Sequence, residues 1–293
     1  VDMLLKEDIA KVVVFDNFVR GGTHNLKHAL KDDRLELFQV KGDITSIDEV
    51  NAATKDVDGV FHMASLSLPY CQEFPRSALN VNIIGTFNLL DACVRNNVKR
   101  IIFTSSSSVY GNAVYSPMDE NHPTAPHSTY AVSKLAGDRV AFTLHKEHGF
   151  PVVIIRPFNS YGPQYTQPYI IPEIMNQLLI GNKELMLGNI DATRDFTYVQ
   201  DIVDGTIAAG ESSLSNDILN IGGGSQIMLN DLVSKIEKAL GKEAKIEKEE
   251  SRRGDMKHTK ASLEKAKKDL GYEPKISIDE GIKRYTDWVV SNG

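Results

Sequence analysis

The sequence predicts an α/β protein: a doubly wound parallel sheet, followed by a smaller mixed α/β domain. Three observations carry that expectation. Apolar, β-rich runs recur at 11–15, 59–64, 101–103 and 152–155, each ending in small or polar residues. Segments with helical spacing of apolar residues stand between them, which is the alternation a parallel sheet with crossover helices requires. In the last third, short strands and helices mix without that regularity.

Taken in order, Val1 to Lys6 reads as the back half of an amphipathic helix with no start signal before it. Lys11 to Phe15 is a strand ending at Asp16-Asn17. An acidic residue ending the second strand of a βαβ unit is where a dinucleotide's adenosine ribose is held. The glycine-rich turn that should precede it by about 20 residues has no counterpart, and Gly21-Gly22 comes after it. We therefore expect this numbering to begin inside the first helix, with a first strand and a GxxGxxG-type turn upstream. Leu35 to Val40 reads as a strand, Ser46 to Thr54 as a helix, and Gly59 to Ser65 as a buried strand running into small residues. Asn82 to Arg95 has helical periodicity. Ile101-Ile102-Phe103 leads into the run Thr104 to Ser108, then Val109-Tyr110-Gly111. Tyr130 opens a helix to about His148, and Val152 to Ile155 is a further strand. Beyond it we expect a helix from Ile171 to Ile180 and short strands at 185–187 and 194–199. A capped helix at 201–209, a strand at 219–221, a helix at 229–240 ended by Gly241, and a last helix carrying Trp288 complete the chain. Gly222-Gly223-Gly224 lacks phosphate-loop spacing and reads as a turn.

Composition narrows the function. The 293 residues carry a net charge of −6, which does not suggest a nucleic-acid partner. The basic residues from Lys245 to Lys260 are interleaved with acids and read as a solvated face. Cys71 and Cys93 form no CxxC or metal-ligand spacing, so a reduced compartment and no metal are expected. No apolar run of about 18 residues predicts a membrane span.

Chemistry concentrates at Tyr130 and Lys134, four apart on one helix face. A neighbouring ammonium favours the tyrosinate and lowers a phenol pKa that is ordinarily near 10. A serine hydroxyl from the preceding strand end could hold a substrate oxygen while the phenol moves its proton. Alone, a Tyr-x-x-x-Lys spacing is more often packing and solubility than catalysis. His62, with no second ligand spaced for it, reads as a core histidine.

Several co-ordered segments together resemble the extended short-chain dehydrogenase/reductase family, in its nucleotide-sugar epimerase/dehydratase branch. They are Asp16-Asn17, Gly42-Asp43-Ile44, Phe61-His62-Met63-Ala64, Asn82 with Gly85-Thr86, Ser105-Ser106 with Val109-Tyr110-Gly111, and Tyr130 with Lys134. Arg156-Pro157-Phe158-Asn159, Tyr161-Gly162-Pro163, Arg194-Asp195-Phe196, and Arg252 with Gly254-Asp255 complete the set. The resemblance implies a Rossmann-type domain over 1–157, with 196–222 returning to it, and a substrate-binding domain over 158–293. It implies tightly held NAD. Asp16 and Asn17 would meet the adenosine ribose, Asp43 and Ile44 the adenine, and Met63, Ala64 and Ser65 the pyrophosphate and nicotinamide ribose. Arg20, Gly21, Asn82 and Pro157 would border the cofactor. Asp16 disfavours the 2′-phosphate of NADP.

On the same resemblance Tyr130 is the base on a sugar 4-hydroxyl, Lys134 holds the nicotinamide ribose, and Ser106 shares the 4-oxygen. Ser107 and Ser108 lie against the sugar. Asn159, Leu187, Arg194, Arg252 and Asp255 hold the nucleotide, with arginine suited to a diphosphate by bidentate charge-assisted contacts. The branch's 4,6-dehydratases carry a carboxylate pair or Ser-Glu just before Val-Tyr-Gly, and its decarboxylases usually a Glu. Here those positions are Ser107 and Ser108, and an unpartnered hydroxyl is a poor base. That favours a 4-epimerase acting on UDP-glucose/UDP-galactose. A dehydratase or decarboxylase is the alternative, and a non-catalytic NAD-binding protein the second. Ser67-Leu68-Pro69-Tyr70 and Pro157 lean toward the dehydratase relatives. A small Thr259, where some epimerases carry Tyr, implies room for a 2-acetamido group, hence UDP-GlcNAc/UDP-GalNAc as well. A homodimer through the helices around 82–95 and 130–148, and a cytoplasmic location, are expected by resemblance.

Overall fold

The computed structural model describes residues 1–38, 41–164, 169–249 and 256–292. The chain forms two compact units: one of residues 1–105, 129–154 and 209–217, the other of 106–128, 155–208 and 218–293. The sequence boundary was expected at 157; by contacts, 106–128 joins the second unit, and of the returning stretch only 209–217 belongs to the first.

In the first unit, β1 (Val12–Val14) pairs parallel with β2 (Leu35–Leu37), Val12 opposite Leu35. After α1 (Ile47–Ala53), β3 (Gly59–His62) leads into α2 (Leu68–Glu73) and α3 (Pro75–Leu79). A wide π-helical turn (Asn80–Gly85) then joins α3 to α4 (Thr86–Arg95). β4 (Arg100–Thr104) pairs parallel with β3, α5 (Thr129–His148) follows the excursion into the second unit, and β5 (Val152–Pro157) starts beside β4. Ile101, Ile102, Phe103, Val152, Val153 and Ile154 are essentially inaccessible, as expected of parallel strands covered on both faces. Among the described residues the sheet is in two hydrogen-bonded pieces, β1–β2 and the group containing β3, β4 and β5.

Ser46 caps α1 by accepting the Glu49 N–H. The glutamate in turn accepts the Asp43 N–H at 3.0 Å, so the cap also pins the turn before the helix. Gly137 lets α5 sit directly on β4: a Cβ there would lie 2.5 Å from the Phe103 ring. The helical run Pro75–Arg95 is long and apolar enough in composition to cross a membrane, and here half of it is buried. Arg100 is spent on the returning segment 209–217, donating to the carbonyls of Ala209, Gly210, Ser212 and Leu214.

In the second unit, β6 (Asn159–Tyr161) follows the end of β5, and α6 (Ile170–Leu179) leads to β7 (Glu184–Gly188). β8 (Thr193–Arg194), β9 (Phe196–Tyr198), α7 (Val199–Glu211), β10 (Asp217–Ile221) and β11 (Ile227–Met228) come next. α8 (Leu229–Leu240), β12 (Lys245–Glu249), α9 (Glu264–Leu270) and α10 (Ile278–Asn292) close the chain. β6 pairs parallel with β9 and β7 with β12, while β11 runs antiparallel to β8. The core holds Ile174, Met175 and Leu178 of α6, Leu232, Val233 and Ile236 of α8, and Ile282 and Tyr285 of α10. Trp288 packs at its margin, and Gly241 ends α8 in the left-handed region at φ +64°.

One local expectation needs correction, and several elements were not foreseen. Val1–Lys6 contains only a single 3₁₀ turn, Leu4–Lys6. The 245–249 stretch, read only as a solvated face, forms a strand: Lys245, Lys248 and Glu249 are exposed, and Ile246 packs against the core. α2 and α3 each carry a proline in the first turn, Pro69 and Pro75, where the missing N–H costs nothing. α9 lies in the lysine-rich stretch after Leu263 and carries one buried residue, Ala266, too little to show a period.

Candidate active site

In the first unit, the residues singled out from sequence gather at the ends of β1, β3 and β4. After β1, Asp16 Oδ1 accepts the Phe18 N–H at 2.7 Å and Asn17 Oδ1 the Val19 N–H at 3.2 Å. These tandem Asx turns hold Phe18 at φ +53°. Both side chains stay exposed. Gly42 meets this loop directly, since a Cβ would lie 2.5 Å from the Asp16 nitrogen. Asp43 Oδ1 accepts from the Thr45 N–H and hydroxyl. The Ile44 side chain is buried against Gly85, where an added Cβ would stand 2.6 Å away, so only its backbone is left for a ligand. Arg20 Nη1 donates to Ser67 Oγ at 2.6 Å, tying the loop after β1 to the start of α2. Gly21 is exposed beside it.

Beyond β3 the burial changes abruptly: His62 is buried, Met63 and Ala64 are exposed, and Ser65 is half-buried. His62 is a satisfied core imidazole, its Nε2 2.9 Å from Thr86 Oγ1 and its ring stacked on Phe103. Burial, then the charge of Lys134, pushes it down to about 3, so it stays neutral. The π-helical turn aims Asn82 inward. Its Oδ1 accepts the Leu66 N–H at 2.7 Å, and its Nδ2 donates to the Leu66 carbonyl and to Ser133 Oγ at 3.0 Å. Ser133 donates in turn to the Tyr130 carbonyl at 2.7 Å. Thus Asn82 locks the loop after β3 to the first turn of α5, a role for which π turns are often kept at functional sites.

Lys134 is the centre of this half. It is 4% exposed, its Nζ donates to the Thr104 carbonyl at 2.9 Å, and it lies 5.9 Å from the centroid of the Tyr130 ring. Burial pushes it down to about 8, with Asp138 and then Cys71 acting the other way. The ammonium is therefore poised to titrate near working pH. Thr104 Oγ1 and Ser105 Oγ are buried without a hydrogen-bond partner. Orphaned hydroxyls at one strand end and an open small-residue turn at its neighbour make a polar row along the carboxyl ends of parallel strands. That is where open α/β sheets bind ligands, and the row fits a dinucleotide. Asp138, Ser133 and the Thr104 carbonyl were not foreseen, although Asp138 stands four residues past Lys134 and the helical period reaches it.

The second unit holds the residues expected from sequence to face a substrate. Ser106 caps the 3₁₀ turn Ser107–Tyr110, its Oγ accepting the Ser108 N–H and donating to Ser108 Oγ, both at 3.1 Å. Ser107 is buried. Pro157 ends β5 and Asn159 opens β6, both half-buried. Leu187 is 2% exposed within the core, so its side chain does not face a base; only its backbone could. Arg194 Nη1 is engaged with the carbonyls of Thr193 and Lys257. Thr259 has no exposed surface and its hydroxyl accepts the Asp195 N–H at 3.3 Å, so it acts as a strut and does not line an open surface. Arg252 and Asp255 lie outside the described residues. Asp195, absent from the expected set, accepts N–H bonds from Gly223, Gly224 and Ala261, which explains the glycine run as a turn wrapped on a carboxylate.

The profile of the GDP-mannose 4,6 dehydratase family matches residues 1–285. The chain belongs to this family. It is accordingly a member of the extended short-chain dehydrogenase/reductase branch of nucleotide-sugar epimerases and dehydratases, with a Rossmann-type α/β fold. A UDP-glucuronate 4-epimerase from Thermodesulfobacterium geofontis is 31% identical, covering 99% of this chain and 92% of that protein. A UDP-glucuronic acid 4-epimerase from Bacillus cereus, solved with UDP-glucuronic acid and NAD, superposes with TM-score 0.92 at 30% identity, over 99% of this chain and 94% of that one. The dTDP-glucose 4,6-dehydratase DesIV from Streptomyces venezuelae, a double mutant solved with NAD, gives TM-score 0.93 at 28% identity, over 99% and 92%. Relatives at this level include decarboxylases as well as epimerases and dehydratases, and the family is NAD-dependent.

Proposed function

We propose that the chain is a nucleotide-sugar 4-epimerase that takes a UDP-sugar through a transient 4-keto intermediate. One observation carries this choice within the family: the two positions before Val109-Tyr110-Gly111 are Ser107 and Ser108. Eliminating water across C5 and C6 calls for a group that removes the C5 proton and another that protonates the leaving hydroxyl. Ser107 is buried and Ser108 shares its hydroxyl with Ser106, so neither is set up as a base.

Hydride removal and return at C4 is the chemistry that NAD supplies when bound. Asp16, Asn17, Asp43, the Ile44 backbone, Met63, Ala64, Ser65 and Asn82 would hold it, with Arg20 and Gly21 at the margin and Pro157 from the substrate side. Tyr130 takes the 4-hydroxyl proton and gives it back. Lys134 lowers the cost of the tyrosinate by its fixed charge. Ser106 holds the 4-oxygen, while Asn159, Arg194, Arg252 and Asp255 serve the nucleotide. The sugar set includes UDP-glucose/UDP-galactose, with UDP-N-acetylhexosamines no longer favoured by Thr259. UDP-glucuronate enters through the relatives named for it. Its 4-keto form is a β-keto acid, so epimerisation there also requires that the carboxylate be held against loss of CO₂. Leu79, Ile84 and Phe87 of the 75–95 helical run and Val132 of α5 are exposed apolar residues that a second copy would cover, giving a homodimer.

The test is proton NMR of the protein with UDP-glucose, UDP-GlcNAc and UDP-glucuronate in turn. Inversion at C4 supports the epimerase. A 4-keto-6-deoxy or pentose product transfers the chain to the dehydratases or decarboxylases, and no turnover of any sugar leaves a binding protein. Tyr130→Phe lowers turnover by at least about 10²–10⁴-fold with NAD still bound; near-wild-type turnover would remove Tyr130 from the reaction.

A further inference from the structure

Lys134 is a buried ammonium, and such a charge is kept only where something compensates for the lost water. Tyr130, Lys134 and Asp138 follow at intervals of four along α5 and so share one helix face over two turns. Asp138 is wholly buried. Its neighbour Gly137 seats α5 on the Phe103 ring, with no room for a Cβ, which closes this stretch of helix against β4. At the end of the same strand the Thr104 carbonyl accepts from Lys134, whose Nζ stands 5.6 Å from the Phe103 centroid.

Within the first unit, the titratable groups acting with Lys134 are His62 on β3, Cys71 on α2, and Tyr130 and Asp138 on α5. His62 is neutral at working pH, for the reasons given above. Burial pushes the Cys71 thiol up to about 11, so it carries no charge near neutrality. Apart from the Tyr130 phenol itself, that leaves the Asp138 carboxyl, which acts on Lys134 in the direction that keeps its proton.

We propose that Asp138 is a positioning residue for Lys134: as a fixed counter-charge one turn along the helix, it keeps the ammonium protonated and seated on the Thr104 carbonyl, from where its charge acts on Tyr130. This rests on the reading of Tyr130 and Lys134 as the catalytic pair. The Lys134 charge is present at low pH and lost as pH rises through about 8. Without Asp138 that loss moves to lower pH.

The experiment uses the NAD-loaded full chain with side-chain ¹³C-labelled lysine, the Lys134 signal assigned by its disappearance in Lys134→Arg. In Asp138→Asn the Lys134 titration falls by about one unit or more, and the alkaline limb of the turnover profile moves with it. Asp138→Glu, which keeps the charge, returns both toward wild type. A Lys134 titration unmoved in Asp138→Asn overturns the proposal. A titration that moves while the turnover limb does not upholds the pairing and instead removes Lys134 from the catalytic pair. Should the asparagine variant fail to fold, the Asp138 carboxyl ¹³C shift in wild type decides. An ionised carboxyl throughout the neutral range supports the counter-charge, and a protonated one overturns it.

Discussion

Replacing Asp195 with alanine tests whether one buried carboxylate holds the second unit together. The side chain has no exposed surface and accepts the N–H of Gly223 at 2.8 Å, of Gly224 at 3.0 Å and of Ala261 at 3.0 Å, with the Thr197 hydroxyl at 3.4 Å. Removing it strands the buried Ala261 N–H and the half-buried N–H groups of Gly223 and Gly224 at ~1–3 kcal/mol each, so the gross loss is about 6 kcal/mol. Against this stands relief of a buried charge. Burial pushes the carboxyl up to about 6 from an ordinary 3.8 despite those bonds, so the relief is worth about 3 kcal/mol. The net expectation near neutral pH is a loss of about 3 kcal/mol, read by urea unfolding through the single tryptophan, Trp288. The pH dependence carries a sign. A carboxyl raised in the folded state gives stability that is full below the unfolded value and lost as pH climbs through the folded one. The alanine variant should therefore fall further behind wild type in acid, by about 2 kcal/mol more near pH 4.5 than near pH 7.5. A loss under about 1 kcal/mol at neutral pH would refute the strut. A gap that narrows in acid would show that the three N–H bonds outweigh burial.

Thr259→Val should cost about 1–2 kcal/mol in the same unfolding assay, through the lost Asp195 N–H bond, and leave the preference between acetamido and plain hexoses unchanged. A shifted sugar preference at unchanged stability would reinstate the pocket argument. Phe87→Glu should give a monomer by light scattering, because a charge cannot be buried unpaired against a second copy; an unchanged dimer would place the interface elsewhere.

Residues that obey a local period were legible in the sequence. The buried strands at 101–104 and 152–157, the helix from 129, the Gly241 stop and the Tyr130–Lys134 spacing all follow from patterns shorter than about two helical turns. What escaped depends on partners far along the chain. Asp195 looks like any acid between Arg194 and Phe196 until Gly223, Gly224 and Ala261 are brought to it. Thr259 reads as a small, pocket-lining residue until Asp195 claims its hydroxyl. Leu187 and Ile44 were taken for ligand contacts because of the segments they sit in, whereas hydrophobic burial claims their side chains. β12 escaped for another reason: a single apolar residue, Ile246, stands among four charged ones, too little to show a strand period.

The Arg100 guanidinium bears on how the chain is made. It faces four carbonyls of a segment more than a hundred residues downstream, and Gly210 of that segment lies flat on Phe61, where an added Cβ would come within 2.8 Å. A nascent chain that has just finished β5 therefore carries an arginine without its acceptors and an uncovered patch over Phe61 and Ile102. Its first unit is complete only once the stretch up to Asp217 has emerged from the ribosome.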